Sequence, residues 1–189
     1  MFRNTTIAMV LAVLLMGCPK KGPDMNSPVE TFTEGVRLLQ TANGDGAVDY
    51  AAAYSMFEAA IVADPNVAKA QYNAGWTAEQ QGFTEKAAQH YRTALQLDPT
   101  YSKALFNLGV ALTELGQGAE AAGMYKQYLE SNPNDLQVRN NLVEALAGSG
   151  QFDEAVDNIR LILRADNNNV GAYRNLSRIY FNKGELEMS

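Results

Sequence analysis

The sequence predicts an all-α protein: a solenoid of antiparallel helix pairs, about four repeats long, closed by a capping helix. Three observations carry this. Pro65, Pro99 and Pro133 stand 34 residues apart, as do Gly82, Gly116, Gly150 and Gly184, and Ala53, Ala87, Ala121 and Ala155. A fixed period of this size is the mark of a repeat array. Alanine is abundant while Val, Ile and Thr are sparse, which favours helix over sheet. Between the period markers apolar residues recur at helical spacing, as in Leu105, Leu108, Ala111, Leu112 and Leu115.

The first residues read as an address. Arg3 supplies a short positive start, and Ile7 to Met16 form an apolar run too short to span a bilayer comfortably. The run ends in Leu15-Met16-Gly17-Cys18, with the only cysteine of the chain at its end. This resembles a lipobox, the motif at which bacterial lipoproteins are lipidated and cut. The resemblance implies a signal peptide over 1–17 and a lipidated Cys18, anchored by two or three acyl chains (palmitate among them). Residues 18–28 then form a flexible tether, PKKGPDMNSP after the cysteine, with three prolines and no periodic apolar pattern. Lys20 and Lys21 could meet anionic headgroups, or simply be solvated. Pro19, rather than aspartate, follows the cysteine, which by the enteric sorting rule places the anchor in the outer membrane.

Residues 29–189 hold the repeats, at about 28–67, 68–101, 102–135, 136–169 and a partial 170–189. In each, glycine marks the turn between two helices, where a left-handed backbone is needed. Alanine marks their close crossing, and proline follows the second helix, which it cannot continue. The first repeat is irregular. Gly35 to Ala53 spans 18 residues where later repeats use 12, and the excess falls in the polar loop TANGDGAVD. Surface loops accept such insertions at small entropic cost. The partial repeat places Tyr173, Leu176, Ile179 and Tyr180 on a helix that caps repeat four. The sequence stops as its second helix begins, so a longer parent protein is expected.

These markers resemble the tetratricopeptide repeat (TPR). Gly75 and Gly109 fill its small position in the first helix, where Val143 and Ser177 depart from the pattern, and Tyr91 and Tyr125 fill its large position in the second. The resemblance implies a right-handed superhelix whose first helices line a concave face. Asn73, Asn107, Asn141 and Asn175 recur there with the same 34-residue spacing. Asparagine is a mediocre helix former. Either the family simply carries it, or its carboxamide reads the backbone of a bound extended peptide, donating to C=O and accepting from N–H. Four such stations, at roughly 10 Å per helix, match about nine residues of extended chain. Beside them the same face should present Tyr72, Trp76 and Phe106 as anchors or as core, and Lys69, Lys103, Arg174 and Arg178 as carboxylate contacts or as solvated charge.

The composition narrows the function. The formal charge is −6 with no basic face, which argues against nucleic acid. One cysteine rules out an intramolecular disulfide and a multi-cysteine metal site. His90, the only histidine, has no nucleophile motif beside it, and no phosphate loop or H-E-x-x-H occurs. No enzyme, metal, cofactor or small-molecule substrate is expected. Between Val29 and Asp135 there are 6 basic and 13 acidic residues, a surface that either steers a basic partner or is merely solvated. Three roles compete for a protein-binding lipoprotein of the bacterial envelope: a scaffold of an envelope machine, a pilotin-like chaperone of a secretin or type IV pilus, and a recruiter of an envelope enzyme. The whole-chain arrangement, with RNLSRIYFNKGE in its last repeat, is similar to the TPR lipoproteins of myxobacterial adventurous gliding motility. That, and the long loop of the first repeat, favour the scaffold.

Overall fold

The computed structural model describes residues 27–41, 47–182 and 184. Among them the helices are α1 (Pro28–Gln40), α2 (Tyr50–Ala63), α3 (Ala68–Gln80), α4 (Thr84–Leu97), α5 (Ser102–Glu114), α6 (Gly118–Ser131), α7 (Leu136–Gly148), α8 (Phe152–Ala165) and α9 (Val170–Asn182). Each packs mainly on its neighbours in sequence, in the manner of a solenoid. The described residues contain no β-strand, only an isolated bridge at Val48. None of the helices is long and apolar enough to cross a membrane. Cys18, residues 19–26 of the tether and residues 42–46 of the first loop lie outside the described residues, while Ser27 and Pro28, expected in the tether, cap and open α1.

The turns follow from local chemistry. Gly82, Gly116, Gly150 and Gly184 have φ of 79°, 73°, 77° and 71°, a region that penalises any Cβ. Just beyond, the N–H groups of Phe83, Gln117 and Gln151 reach back to the carbonyls of Ala78, Leu112 and Leu146 at 3.0, 2.8 and 2.9 Å. This is the Schellman closure, and it satisfies carbonyls that the helix end would leave unpaired. The turns between repeats use a second device. Asp64, Asp98 and Asp166 each accept, through Oδ1, the backbone N–H two residues on, at 3.0, 3.0 and 3.1 Å. Such Asx turns hold the short link to the next helix. Ser27, Asp49, Asp135 and Asn169 cap the N-termini of α1, α2, α7 and α9 with side-chain oxygens.

The core is a continuous seam along the stack. Ala53, Ala87, Ala121 and Ala155 are fully buried at the crossings, as the period predicts. Opposite them a ring from the second helix sits against a glycine of the first. A Cβ added to Gly35, Gly75 or Gly109 would lie 2.8, 2.8 and 2.5 Å from the rings of Phe57, Tyr91 and Tyr125. Thus the first repeat keeps the packing register of the others despite its inserted loop. In repeat four both members change together: Val143 stands in the glycine position and Ile159 in the tyrosine position, both buried.

Candidate functional site

Successive first helices touch one another, α5 with α7 and α7 with α9, so they form the inner side of the curve. These first helices carry the residues singled out from the sequence. Tyr72 is half-buried, its ring 5.8 Å from that of Tyr91 and 5.0 Å from that of Tyr101. Trp76 meets Tyr50 edge-on at 5.7 Å. Phe106 packs between Tyr125 and Tyr128 at 6.4 and 6.2 Å. These aromatics therefore pack against the core, each keeping part of its surface in solvent. Lys69, Lys103, Arg174 and Arg178 are exposed.

The asparagines are not equivalent. Asn107 donates through Nδ2 to the hydroxyls of Tyr91 at 3.2 Å and Tyr72 at 3.4 Å. Asn141 stands at the same sixteen-residue spacing from Tyr125 and lies close enough to influence its phenol. The side-chain donor of Asn107 is thus engaged inside the protein, which corrects the expectation that it is open to a ligand. Asn175 departs further: it is only 1% exposed, and its Nδ2 is buried with no partner. The residue sixteen positions before it is Ile159, which has no hydroxyl to offer. Asn73, with Phe57 at that spacing, is half-buried.

Tyr91 donates its own hydroxyl to the Glu79 carboxylate at 2.5 Å. Burial raises the pKa of Glu79, an effect that the Tyr91 hydrogen bond opposes. Burial, followed by the bond to Glu79, pushes the Tyr91 phenol far above its ordinary value, so it stays protonated. At the C-terminal end of the groove Gln137, Asn140, Asn141, Glu144, Arg174 and Asn175 line a polar recess of about 370 Å³. His90 lies apart from this face. Its Nδ1 is 2.9 Å from Gln71 Oε1 and its Nε2 is 3.0 Å from the Tyr54 hydroxyl, so it ties α2 to α3 and α4. Among the described residues no three His, Cys, Asp or Glu side chains gather where they could hold a metal ion.

Two periodic features escaped the sequence reading. Arg92–Glu120 at 2.9 Å and Lys126–Glu154 at 2.6 Å are one ion pair repeated 34 residues on, joining successive second helices. The hydroxyl–carboxamide pair, Tyr91 with Asn107 and Tyr125 with Asn141, recurs in the same way. Its signal was a spacing of sixteen residues across a repeat boundary, visible once tyrosine and asparagine are read together.

Stacked helix pairs with an inner face of polar and aromatic side chains define a helical-repeat protein that binds other proteins. Tetratricopeptide repeat family models match residues 46–102, 78–146 and 112–178, and the chain belongs to that family. No curated protein matches it. Among solved structures it is similar to YrrB, described as a TPR protein with an unusual peptide-binding site. The two share 21% identity over 87% of this chain and 81% of that one, with a TM-score of 0.74. It is also similar to MamA, at 19% identity over 88% and 80% with a TM-score of 0.65. MamA from residue 41 to its end, from Desulfovibrio magneticus RS-1, gives 16% identity over 87% and 88% and a TM-score of 0.70. At these identities the likeness concerns the fold.

Proposed function

We propose that the first-helix groove receives an extended segment of another envelope protein, while a lipid on Cys18 holds the chain at the membrane, the outer membrane by the Pro19 argument. What supports the reading is the recurrence of Asn73, Asn107 and Asn141 at one position of successive first helices, with the partly exposed Tyr72, Trp76 and Phe106 and the exposed Lys69 and Lys103 on the same helices. A peptide-binding site in YrrB, of the same fold, supports it. In this role the protein is a scaffold that assembles or anchors an envelope machine, for which the whole-chain resemblance favours gliding motility.

The test has two arms. A photo-crosslinker placed at Tyr72 should capture a partner in intact envelopes that the same group at convex Val62 does not. Replacing Asn107 and Asn141 together with Ala should weaken that capture more than tenfold, at about 1 kcal/mol or more per lost contact. Circular dichroism at 25 °C should show the variant still folded. Normal capture by the folded double variant refutes the groove. For the anchor, labelled palmitate should enter the wild type and not Cys18→Ser; equal labelling refutes it.

A further inference from the structure

A carboxamide is planar, with its NH₂ and its oxygen pointing in different directions, so fixing one half aims the other. At Asn107 both N–H bonds are directed inward, to the hydroxyls of Tyr91 and Tyr72. The direction of this chain is imposed from its far end. A carboxylate can only accept, so Glu79 accepts the Tyr91 O–H bond, and the Tyr91 oxygen is left to accept from Asn107. The order is thus Asn107 to Tyr91 to Glu79, each donating to the next, and the Asn107 oxygen is turned away from them. In repeat three Thr113, which is not a carboxylate, occupies the position of Glu79 beside Tyr125. Where the tyrosine is missing the orientation fails: Asn175, with Ile159 at the corresponding place, has a buried Nδ2 without a mate.

We propose that Tyr91, backed by Glu79, is a positioning residue that makes Asn107 a one-way acceptor, so that this station of the groove recognises a backbone N–H of the bound segment and not its carbonyl. The inference rests on the reading that the groove holds an extended segment, and gives that segment a polarity. A proline, or any N-substituted residue, is excluded at the position facing Asn107, whatever side chains flank it. Tyrosine at this position therefore acts on specificity without touching the ligand.

The probe is a peptide selected from a random twelve-residue display library on the full chain, retained because Asn107→Ala weakens its binding. Its backbone nitrogens are then methylated one at a time. One methylation should weaken binding at least tenfold in the wild type and less than twofold in Asn107→Ala. In Tyr91→Phe, which keeps the ring that fills the space beside Gly75, the same methylation should cost less than threefold. Tyr125→Phe should leave it intact. Equal penalties in Tyr91→Phe and wild type overturn the proposal, as does an Asn107-dependent peptide that no methylation weakens. If no selected peptide depends on Asn107, the groove reading falls with it. A second measurement needs no ligand. The side-chain N–H protons of Asn107 should exchange slowly with solvent by NMR and quickly in Tyr91→Phe; fast exchange in the wild type overturns the assignment.

Discussion

Two glycines of one repeat show how the same residue type answers different physical demands. Gly116 has φ of 73° and nothing within 4 Å of an added Cβ, so only backbone conformation requires it. Gly109 is ordinary helix, but a Cβ there would lie 2.5 Å from Tyr125. Both substitutions to Ala should destabilise, Gly116→Ala by about 1–2 kcal/mol through the left-handed strain and Gly109→Ala by about 1–3 kcal/mol through overpacking. The rescues differ. Gly116→Asn should recover part of the loss, because asparagine visits this region more readily. Tyr125→Leu should relieve Gly109→Ala and do nothing for Gly116→Ala. Urea unfolding of the wild type, the four single variants and the two double variants decides it. At this scale the sequence was legible where one residue sufficed: the turn glycines and crossing alanines could be read from period alone. The donor direction at Asn107 could not, because it depends on Tyr91 and Glu79, sixteen and twenty-eight residues earlier, and on which end of the chain is a carboxylate.

Repeat four shows compensation between elements. Its α7 carries Val143 where Gly75 and Gly109 stand, and its α8 carries Ile159 in place of Tyr91 and Tyr125. Methyls added on one helix occupy the space vacated by the ring on the other, which close packing requires. Val143→Gly alone should leave a void and weaken the helix, costing about 0.4 kcal/mol in helix propensity before any cavity term. Ile159→Tyr alone should overpack by about 1–3 kcal/mol. Combined, they rebuild the arrangement of repeats two and three, and the introduced hydroxyl lies where it can receive the orphaned Nδ2 of Asn175. The double variant should be more stable than the sum predicts, by about 1–3 kcal/mol. Strict additivity in denaturant melts would mean that the two positions do not share a space. The departure of Val143 from the repeat pattern was legible in the sequence. That Ile159 answers it was not, since the pair is joined only by the packing of α7 on α8.

At the scale of the molecule, a solenoid is held by interfaces between neighbours, and the interface of repeat one with repeat two has the single histidine in it. Repeat architecture was legible from end to end because each unit restates it. This interface was not, because Tyr54, Gln71 and His90 occur once and obey no period. Gln71 Oε1 can only accept, so His90 carries its proton on Nδ1, and Nε2 accepts from Tyr54. Protonating Nε2 would reverse the second bond, the Tyr54 oxygen accepting while its hydroxyl turns towards Glu58. Around the ring stand Glu58 at 3.5 Å, which favours the charged form, and Lys86, which opposes it. Burial is the largest influence and lowers the His90 pKa below its ordinary 6.5. The unfolded chain therefore binds a proton more readily than the native one as pH falls through about 6.5, and linkage then favours unfolding. The stability that His90 contributes is present in full above pH 6.5 and declines below it, until the lowered native value is reached. Thermal melts at pH 7.5 and 5.5 should differ by a few degrees more in the wild type than in His90→Gln. In His90→Gln the amide can still bridge Gln71 and Tyr54 without titrating. Hydrogen exchange at the lower pH should locate the loss in α2 and leave α5 to α8 protected. An equal fall in both chains, or one spread evenly over all repeats, would assign the acid sensitivity to carboxylates elsewhere and leave His90 a packing residue.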